Sequence, residues 1–183
     1  MAMLPAELQN LISSSRITTS FVVDYEGDVV NQSGSSIGIG NLTDRKLLSA
    51  LRASAQVVLT SGKTARLDNY RMPKKADLAV FTDTGVEEVD LRPVSTQRLT
   101  VFGSEVATDF KAALKHIQSL GYDRVQVEFG PTGFQQILPE LDLVLISSVS
   151  NSGPKAFYKR YGLMPTERFD LEDLSVWALS QRA

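Results

Sequence analysis

The chain has 183 residues, of which 43% are hydrophobic, so it is long enough for one domain with a substantial core. Its 19 basic and 21 acidic residues give a net charge of −2, which lacks the basic excess typical of nucleic-acid binding. The absence of cysteine and the single histidine exclude disulfides, thiolate nucleophiles and Cys- or His-rich metal sites. No apolar run approaches the ~20 residues that span a membrane. We therefore expect a cytoplasmic protein without a metal ion, a nucleic-acid partner or a membrane partner.

The N-terminal part predicts an arm followed by the first strand. Residues 1–15 lack the pattern of a secretory signal, and we expect a short surface helix or a loose arm there. A single domain is then expected from residue 16 to residue 183. Alternating apolar residues from Ile17 to Val23 predict a strand, which turns at 24–28 and continues through Val29 and Val30. The Gly- and Ser-rich residues 31–41 predict a loop, either a flexible connection or the rim of a substrate site.

Helices and buried strands alternate through the middle of the chain. Thr43 is expected to cap a helix with Asp44 in its first turn, and a helix is also predicted from Thr108 to Leu120, ending at Gly121. His116 lies near the end of that second helix, and we expect it to be a solvated residue rather than a catalytic one. Short apolar runs predict buried strands at 57–60 and 78–82, and further strands at 99–102 and 141–149, the last being the most apolar. The acidic residues 83–97 and the residues 150–155 are expected to be irregular, and 169–181 to form a closing strand.

Two strands end in a glycine turn. Val125 to Phe129 alternate as a strand does, Gly130 stops the strand, and a short helix is predicted from Thr132 to just before Pro139. The run Ser61-Gly62-Lys63-Thr64 follows an earlier strand in the same way, although it lacks the spacing of a P-loop. Such turns can bind phosphate through backbone amides, or they can be tight connections with no ligand. Because ligands of α/β sheets lie beyond the carboxyl ends of the strands, two such turns favour a nucleotide site.

An ordered set of motifs resembles a known family. The set consists of Leu51-Arg52-Ala53, Val57-Val58-Leu59, Gly62-x-Thr64-x-Arg66-x-Asp68-Asn69, Glu128-Phe129-Gly130-Pro131-Thr132 and Leu141-Asp142. Together these resemble the pyrimidine reductase domain of riboflavin biosynthesis, over about residues 16–181. The resemblance implies a dihydrofolate reductase-like α/β fold, with a mostly parallel central sheet, an antiparallel C-terminal edge and flanking helices.

The resemblance also implies an activity and a set of site residues. The activity is NADPH-dependent reduction of a phosphoribosylamino-pyrimidine or a related heterocycle, which requires no cysteine or metal because the cofactor supplies the hydride. The cofactor-binding residues would be Thr60, Gly62, Lys63, Thr64, Phe129, Gly130 and Thr132. The substrate-binding residues would be Glu26, Asp28, Arg66, Asp68, Asn69 and Glu128. No catalytic side chain is assigned, and a homodimer paired through sheet edges is expected, because the apolar strands from Leu141 onward would otherwise expose an edge.

The departures from the family pattern leave the substrate open. The family's Ser-Leu-Asp-Gly-Lys turn is here Asp24-Tyr25-Glu26-Gly27-Asp28, which reverses a charge where the family has lysine. Phe129 replaces a glycine of the central turn, and Tyr70 replaces the proline after Asp68-Asn69. The alternatives are therefore a reductase whose substrate has shifted, and a non-catalytic relative that binds a nucleotide or a partner, with Phe129 filling the groove that a glycine would leave open.

Overall fold

The computed structural model describes residues 4–84, 96–150 and 152–180. Helices α1 to α6 span Ala6–Ser14, Leu42–Ser54, Gly62–Leu67, Phe110–Ser119, Pro131–Ile137 and Gly153–Tyr161. Strands β1 to β8 span Ile17–Val22, Val57–Ser61, Asp77–Phe81, Leu99–Phe102, Val125–Glu128, Leu143–Ser148, Glu167–Asp170 and Ser175–Ser180. The chain forms two compact units: the first consists of Met1–Leu51 and Leu141–Ala183, and the second of Arg52–Glu140.

The second unit contains four parallel strands in the order β4-β3-β2-β5. All five residues of β2 are buried, as its unbroken apolar run predicts for a central strand. One face of these strands packs against α3 through a cluster of Val58, Ala65, Tyr70, Ala76, Leu78 and Val80. Since the strands are parallel, the turn after Ser61 and the turn after Glu128 lie at the same edge.

The first unit combines parallel and antiparallel pairing. β1 pairs with β6 in parallel, β6 pairs with β8 antiparallel, and β8 pairs with β7 antiparallel. The helices α1 and α2 pack on these strands through buried Leu8, Ile12, Leu47 and Leu51. The predicted fold class is thus confirmed: mostly parallel strands, an antiparallel C-terminal edge and flanking helices.

Local sequence signals explain two predicted helices. The Asp109 side chain accepts a hydrogen bond from the Ala112 amide at 2.7 Å, and Gly121 follows the end of α4 with φ at +94°. Pro131 occupies the first position of α5, where its missing N–H costs nothing. Both helices lie where the periodicity predicted them.

The predicted start of α2 and the predicted continuation of β1 were wrong. The cap of α2 is Asn41, whose side-chain oxygen accepts from the Asp44 amide at 2.9 Å, and Thr43 lies already inside the helix. β1 ends at Val22, and Val29 and Val30 form no strand although Val29 is buried. The β1 pairing stops because the chain turns at Asp24, whose side chain accepts the amides of Glu26 and Asp28.

The C-terminal part differs from the prediction in two places. Residues 150–155 were predicted as a loop, but α6 begins at Gly153, with Pro154 in its first turn, and ends at Gly162 with φ at +64°. The predicted closing strand at 169–181 is two strands, β7 and β8, because the chain reverses at 171–174. Apolar alternation alone does not show that reversal.

The edge expected for dimerisation is not where it was predicted. The apolar strand β6 lies between β1 and β8, and the unit's outer strand is β7, which carries Glu167, Arg168 and Asp170. Charged side chains on an outer strand disfavour strand addition. The homodimer stays a prediction, without this support.

Some of the predictions fall on residues outside the described ranges. Most of the acidic stretch 83–97 lies outside the described residues, as do residues 1–3 and 181–183. Over the residues that are described, no helix has the length and hydropathy of a membrane span. The division into an arm at 1–15 and one domain from 16 onward stays a prediction.

Candidate functional site

The turn after β2 leads directly into a helix. Ser61 caps α3: its hydroxyl oxygen accepts from the Thr64 amide at 3.1 Å and donates to the Thr64 hydroxyl oxygen at 3.0 Å. Gly62 is buried, and a Cβ atom there would lie 2.5 Å from Cβ of Thr82. Glycine is therefore required at position 62 by packing inside the protein, and Thr64 is the residue of this turn whose hydroxyl is held in a fixed place.

The turn after β5 contains a glycine that the protein itself does not require. Gly130 has φ −67° and ψ −179°, a conformation open to any residue. A Cβ atom at Gly130 would meet one neighbour within 4 Å, the Thr64 hydroxyl oxygen at 3.9 Å. The two predicted turns are therefore side by side, and the space in front of Gly130 is open to an approaching group.

The Phe129 ring does not fill this space. The ring is buried and packs against Phe110 with 4.6 Å between centroids, beside Gly133, where a larger residue would overlap it. Only the backbone of Phe129 belongs to the turn. The groove-filling role considered for this residue has no support in the geometry.

Glu128, the last residue of β5, is held by Arg52 and Tyr70, two residues of the resemblance to which the sequence assigned no role in the site. Arg52 Nε and Nη2 donate to the two carboxylate oxygens at 2.8 and 2.6 Å, and the Tyr70 hydroxyl donates to Oε2. The guanidinium also lies 4.7 Å from the Tyr70 ring centroid. Burial and the neighbouring carboxylate raise the pKa of Tyr70 well above its usual value, so its hydroxyl stays protonated and donates.

The other expected cofactor residues occupy the ends of these elements. Thr60 is fully buried, and its hydroxyl donates to the Glu128 carbonyl at 2.9 Å, which joins β2 to β5. Lys63 and Thr132 are exposed, each as the second residue of its helix. The structure thus brings Thr60, Thr64 and Gly130 together around the end of β5.

Besides Glu128, the expected substrate residues of the second unit lie at the far end of α3, and they are Arg66, Asp68 and Asn69. The Asp68 amide donates to the Thr64 carbonyl, and Asn69 adopts φ +46°, a left-handed conformation that asparagine tolerates. Arg66 reaches back toward Gly62, because its Nη1 atom lies 3.1 Å from the position a Cβ would take there. Of these three residues, Arg66 is the one directed toward the first turn.

Glu26 and Asp28 belong to the first unit. They lie in the turn that Asp24 organises, and the Asp28 carboxylate pairs with Arg160 of α6 at 2.8 Å. Carboxylate oxygens of Asp24, Glu26 and Asp28 lie within 4.8 Å of one another. The reversed charge at position 28 therefore has its own counter-ion.

Asp44 is a partly buried carboxylate of the first unit. The sequence predicted it only as an acidic residue in the first turn of a helix. Asp44 accepts a hydrogen bond from the Ser147 hydroxyl at 2.5 Å, at the carboxyl end of β6. Burial raises the pKa of Asp44, and the Ser147 hydrogen bond offsets part of that rise. A carboxyl group with a raised pKa at strand carboxyl ends is typical of functional sites. In the sequence, Asp44 appears only in the pair Thr43-Asp44, which is typical of an ordinary helix start. The sequence therefore did not predict the burial of this carboxylate.

The Leu141-Asp142 motif is structural. Asp142 Oδ2 accepts from the Arg16 and Ile17 amides at 2.8 and 2.9 Å, which fixes the start of β1.

Comparisons with known proteins agree with this architecture. No protein-family model and no curated protein sequence matches the chain. A pyrimidine reductase-like protein from Corynebacterium diphtheriae superposes with a TM-score of 0.65 at 14% identity, covering 93% of both chains. Dihydrofolate reductase from Enterococcus faecalis, solved with NADP(H), superposes with a TM-score of 0.55 at 10% identity, covering 92% of this chain and 97% of that one.

The chain has the dihydrofolate reductase-like fold. A deaminase and 5-amino-6-(5-phosphoribosylamino)uracil reductase from Thermotoga maritima has the same fold over 90% of this chain, with a TM-score of 0.63 and 16% identity. This chain spans 56% of that protein's length. The resemblance seen in the sequence is confirmed at the level of the fold, and at these identities the likeness shows the fold alone.

Proposed function

We propose that this chain is an oxidoreductase that uses NADPH to reduce a phosphoribosylamino-pyrimidine or a related heterocycle. The observation that carries the proposal is the open position in front of Gly130, beside the Thr64 hydroxyl. A glycine that neither its backbone angles nor its neighbours require is explained by a ligand that approaches the backbone closely. Nucleotide phosphates are the usual ligands of such turns at strand carboxyl ends.

The residues present fit a nicotinamide nucleotide. Thr64 and Thr132 supply hydroxyls, and the turn after β5 supplies backbone amides. Lys63 and Arg66 are the cations of the β2–α3 segment that would favour the 2′-phosphate of NADPH over NADH. Three residues would contact the cofactor through backbone atoms only: Thr60, Gly62 and Phe129. The side chains of Thr60 and Phe129 are buried, and the space beside Gly62 is filled by Thr82. When bound, the cofactor supplies the hydride.

The substrate is proposed from the resemblance and from the Asp28 carboxylate of the first unit. Asp28 faces Arg160, so this turn presents a paired charge where the family has a lysine. That arrangement supports a reductase with a shifted substrate preference as the second candidate. The predicted substrate residues that remain are Glu26, Arg66, Asp68, Asn69 and Glu128. A cytoplasmic location and a homodimer also remain predictions.

The proposal is tested by following NADPH oxidation with 5-amino-6-(5-phosphoribosylamino)uracil. We expect turnover that depends on NADPH and that falls at least tenfold in Gly130→Val at subsaturating NADPH, because the added side chain occupies the open position. The matched control is Gln135→Val, which changes an exposed residue of α5 and should leave the rate within about twofold. Binding of NADPH without turnover would favour the shifted substrate, and no binding of NADPH would overturn the proposal in favour of a non-catalytic relative.

A further inference from the structure

A buried charged network adjoins the two turns. Arg52, Tyr70 and Glu128 are brought together from α2, from the segment after α3 and from β5. The Arg52 and Glu128 side chains are 24% and 10% exposed, and Tyr70 is 4% exposed. A buried ion pair is often no more stabilising than apolar residues of the same volume, so overall stability does not account for it.

The network is connected to both turns through backbone and hydroxyl contacts. The Tyr70 amide donates to the Ala65 carbonyl at 2.9 Å, which ties Tyr70 to the helix that carries Thr64. The Glu128 carbonyl accepts from Thr60, and Glu128 precedes Gly130 by two residues. The Tyr70–Glu128 hydrogen bond therefore lies between the element that places Thr64 and the strand that places Gly130.

The carboxylate of Glu128 is already engaged at both oxygens. Arg52 donates to each oxygen, and Tyr70 donates to Oε2 as well. A substrate contact of Glu128 would therefore share carboxylate oxygens that already accept hydrogen bonds from Arg52 and Tyr70. Tyr70 stands where the resembled family has proline, and proline has no hydroxyl to complete such a network.

We infer that Arg52, Tyr70 and Glu128 are positioning residues that set the distance between the Thr64 hydroxyl and Gly130, and thereby the affinity of this site for a dinucleotide phosphate. The inference rests on the proposed cofactor site. The three side chains act by position, and the atoms that contact the phosphate are those of the turns.

The second unit offers a matched control for this network. Asp77, at the amino end of β3, accepts from Arg98 Nε at 3.2 Å and from the Tyr122 hydroxyl at 2.8 Å. Here too a carboxylate accepts from an arginine and a tyrosine, but at the opposite end of the parallel strands, since Asp77 pairs with Val57 at the start of β2. Tyr122→Phe thus removes the same hydroxyl contact away from the turns.

The experiment compares Tyr70→Phe and Arg52→Lys with Tyr122→Phe and wild type, by NADPH fluorescence titration and by amide hydrogen exchange without ligand. Losing a hydrogen bond to a charged group predicts an affinity for NADPH about tenfold weaker in Tyr70→Phe, and a change within about twofold in Tyr122→Phe. Amide exchange should become faster at residues 61–67 and at Phe129 and Gly130 in Tyr70→Phe and Arg52→Lys, and stay at wild-type rates there in Tyr122→Phe.

Two results would overturn the inference. One is unchanged affinity and unchanged exchange at the turns in both Tyr70→Phe and Arg52→Lys. The other is an equal effect of Tyr122→Phe, which would show a general loss of stability. If wild type binds no NADPH, the proposed function fails on that result, and the exchange measurement alone then decides whether the network positions the turns.

Discussion

At the scale of single residues, the two glycines of the predicted turns play different parts. Gly62 fills a place that only glycine fits, because a methyl group there would overlap Thr82. Gly130 leaves its place open. We expect Gly62→Ala to lower the free energy of unfolding by about 1–3 kcal/mol, which is the usual effect of overpacking, and Gly130→Ala to change it by less than about 1 kcal/mol.

Urea unfolding followed by circular dichroism measures both glycine variants. Thr82→Gly removes the overlapping atoms, so the double variant Gly62→Ala with Thr82→Gly should lose less stability than the sum of its single changes. A Gly62→Ala protein as stable as wild type would contradict the packing account.

Asp44 provides a prediction of pH dependence. Its pKa is raised in the folded state, so its contribution to stability is fully present below the unfolded pKa of about 4 and is lost as the pH rises through the folded pKa. Asp44→Asn removes the buried charge while keeping an acceptor for Ser147. The variant should therefore gain stability relative to wild type as the pH rises from about 3.5 to 7. Unfolding free energies at several pH values measure this, and a gap that shrinks with rising pH would contradict it.

Asp28 provides a prediction of substrate preference. Its carboxylate repels a substrate phosphate, but its pairing with Arg160 and its 44% exposure weaken the repulsion to roughly 1–2 kcal/mol. Asp28→Lys should thus raise kcat/KM for the phosphorylated substrate about tenfold, with Asp28→Asn in between. Parallel assays with the unphosphorylated ribosylamino compound supply the control, because that substrate should respond little. Brisk wild-type turnover that falls in Asp28→Lys would mean that the charge argument is wrong.

At the scale of elements, strong periodic signals were predictable from the sequence and short ones were not. The strands β2 to β6 follow from apolar runs and from the alternation at 125–129, and the helix α4 follows from 3.6-residue spacing. The six-residue helix α3 and the helix α6 were missed, because glycine and proline at their starts are typical of turns. In α6 the Gly153 position is fixed by the Asp24 carbonyl, with no room for a side chain. That contact depends on a residue over a hundred positions away.

The candidate site was predictable only in its local part. Both turns and the residues Thr64 and Gly130 followed from the strand-end glycines. The Arg52–Glu128 and Tyr70–Glu128 contacts join residues 76 and 58 positions apart, and no local pattern indicates them. The burial of Asp44 beside Ser147, 103 positions away, was hidden for the same reason.

At the scale of the whole molecule, the expected homodimer needs a different edge. β7 is charged, whereas β4 ends the strand order of the second unit and carries Val101, which is 41% exposed. Within the part of the chain that the structure describes, β4 is therefore the better candidate for strand pairing. We expect sedimentation at micromolar concentration to show a dimer that Val101→Lys weakens and that Glu167→Lys, at an exposed position of β7, leaves intact. A species of monomer mass alone in wild type would contradict the homodimer.

The central claim is that the space between Thr64 and Gly130 binds the phosphates of NADPH, and fluorescence titration with NADPH tests it most directly. Wild type should bind, while Gly130→Val, which places a branched side chain in the open space, should bind at least tenfold more weakly with an unchanged circular dichroism spectrum. Thr64→Ala should lose a smaller part of the affinity. Gln135→Val, exposed on the same helix α5, is the control and should bind as wild type does. Equal affinity of wild type, Gly130→Val and Thr64→Ala would contradict the account and show that the two turns are only connections.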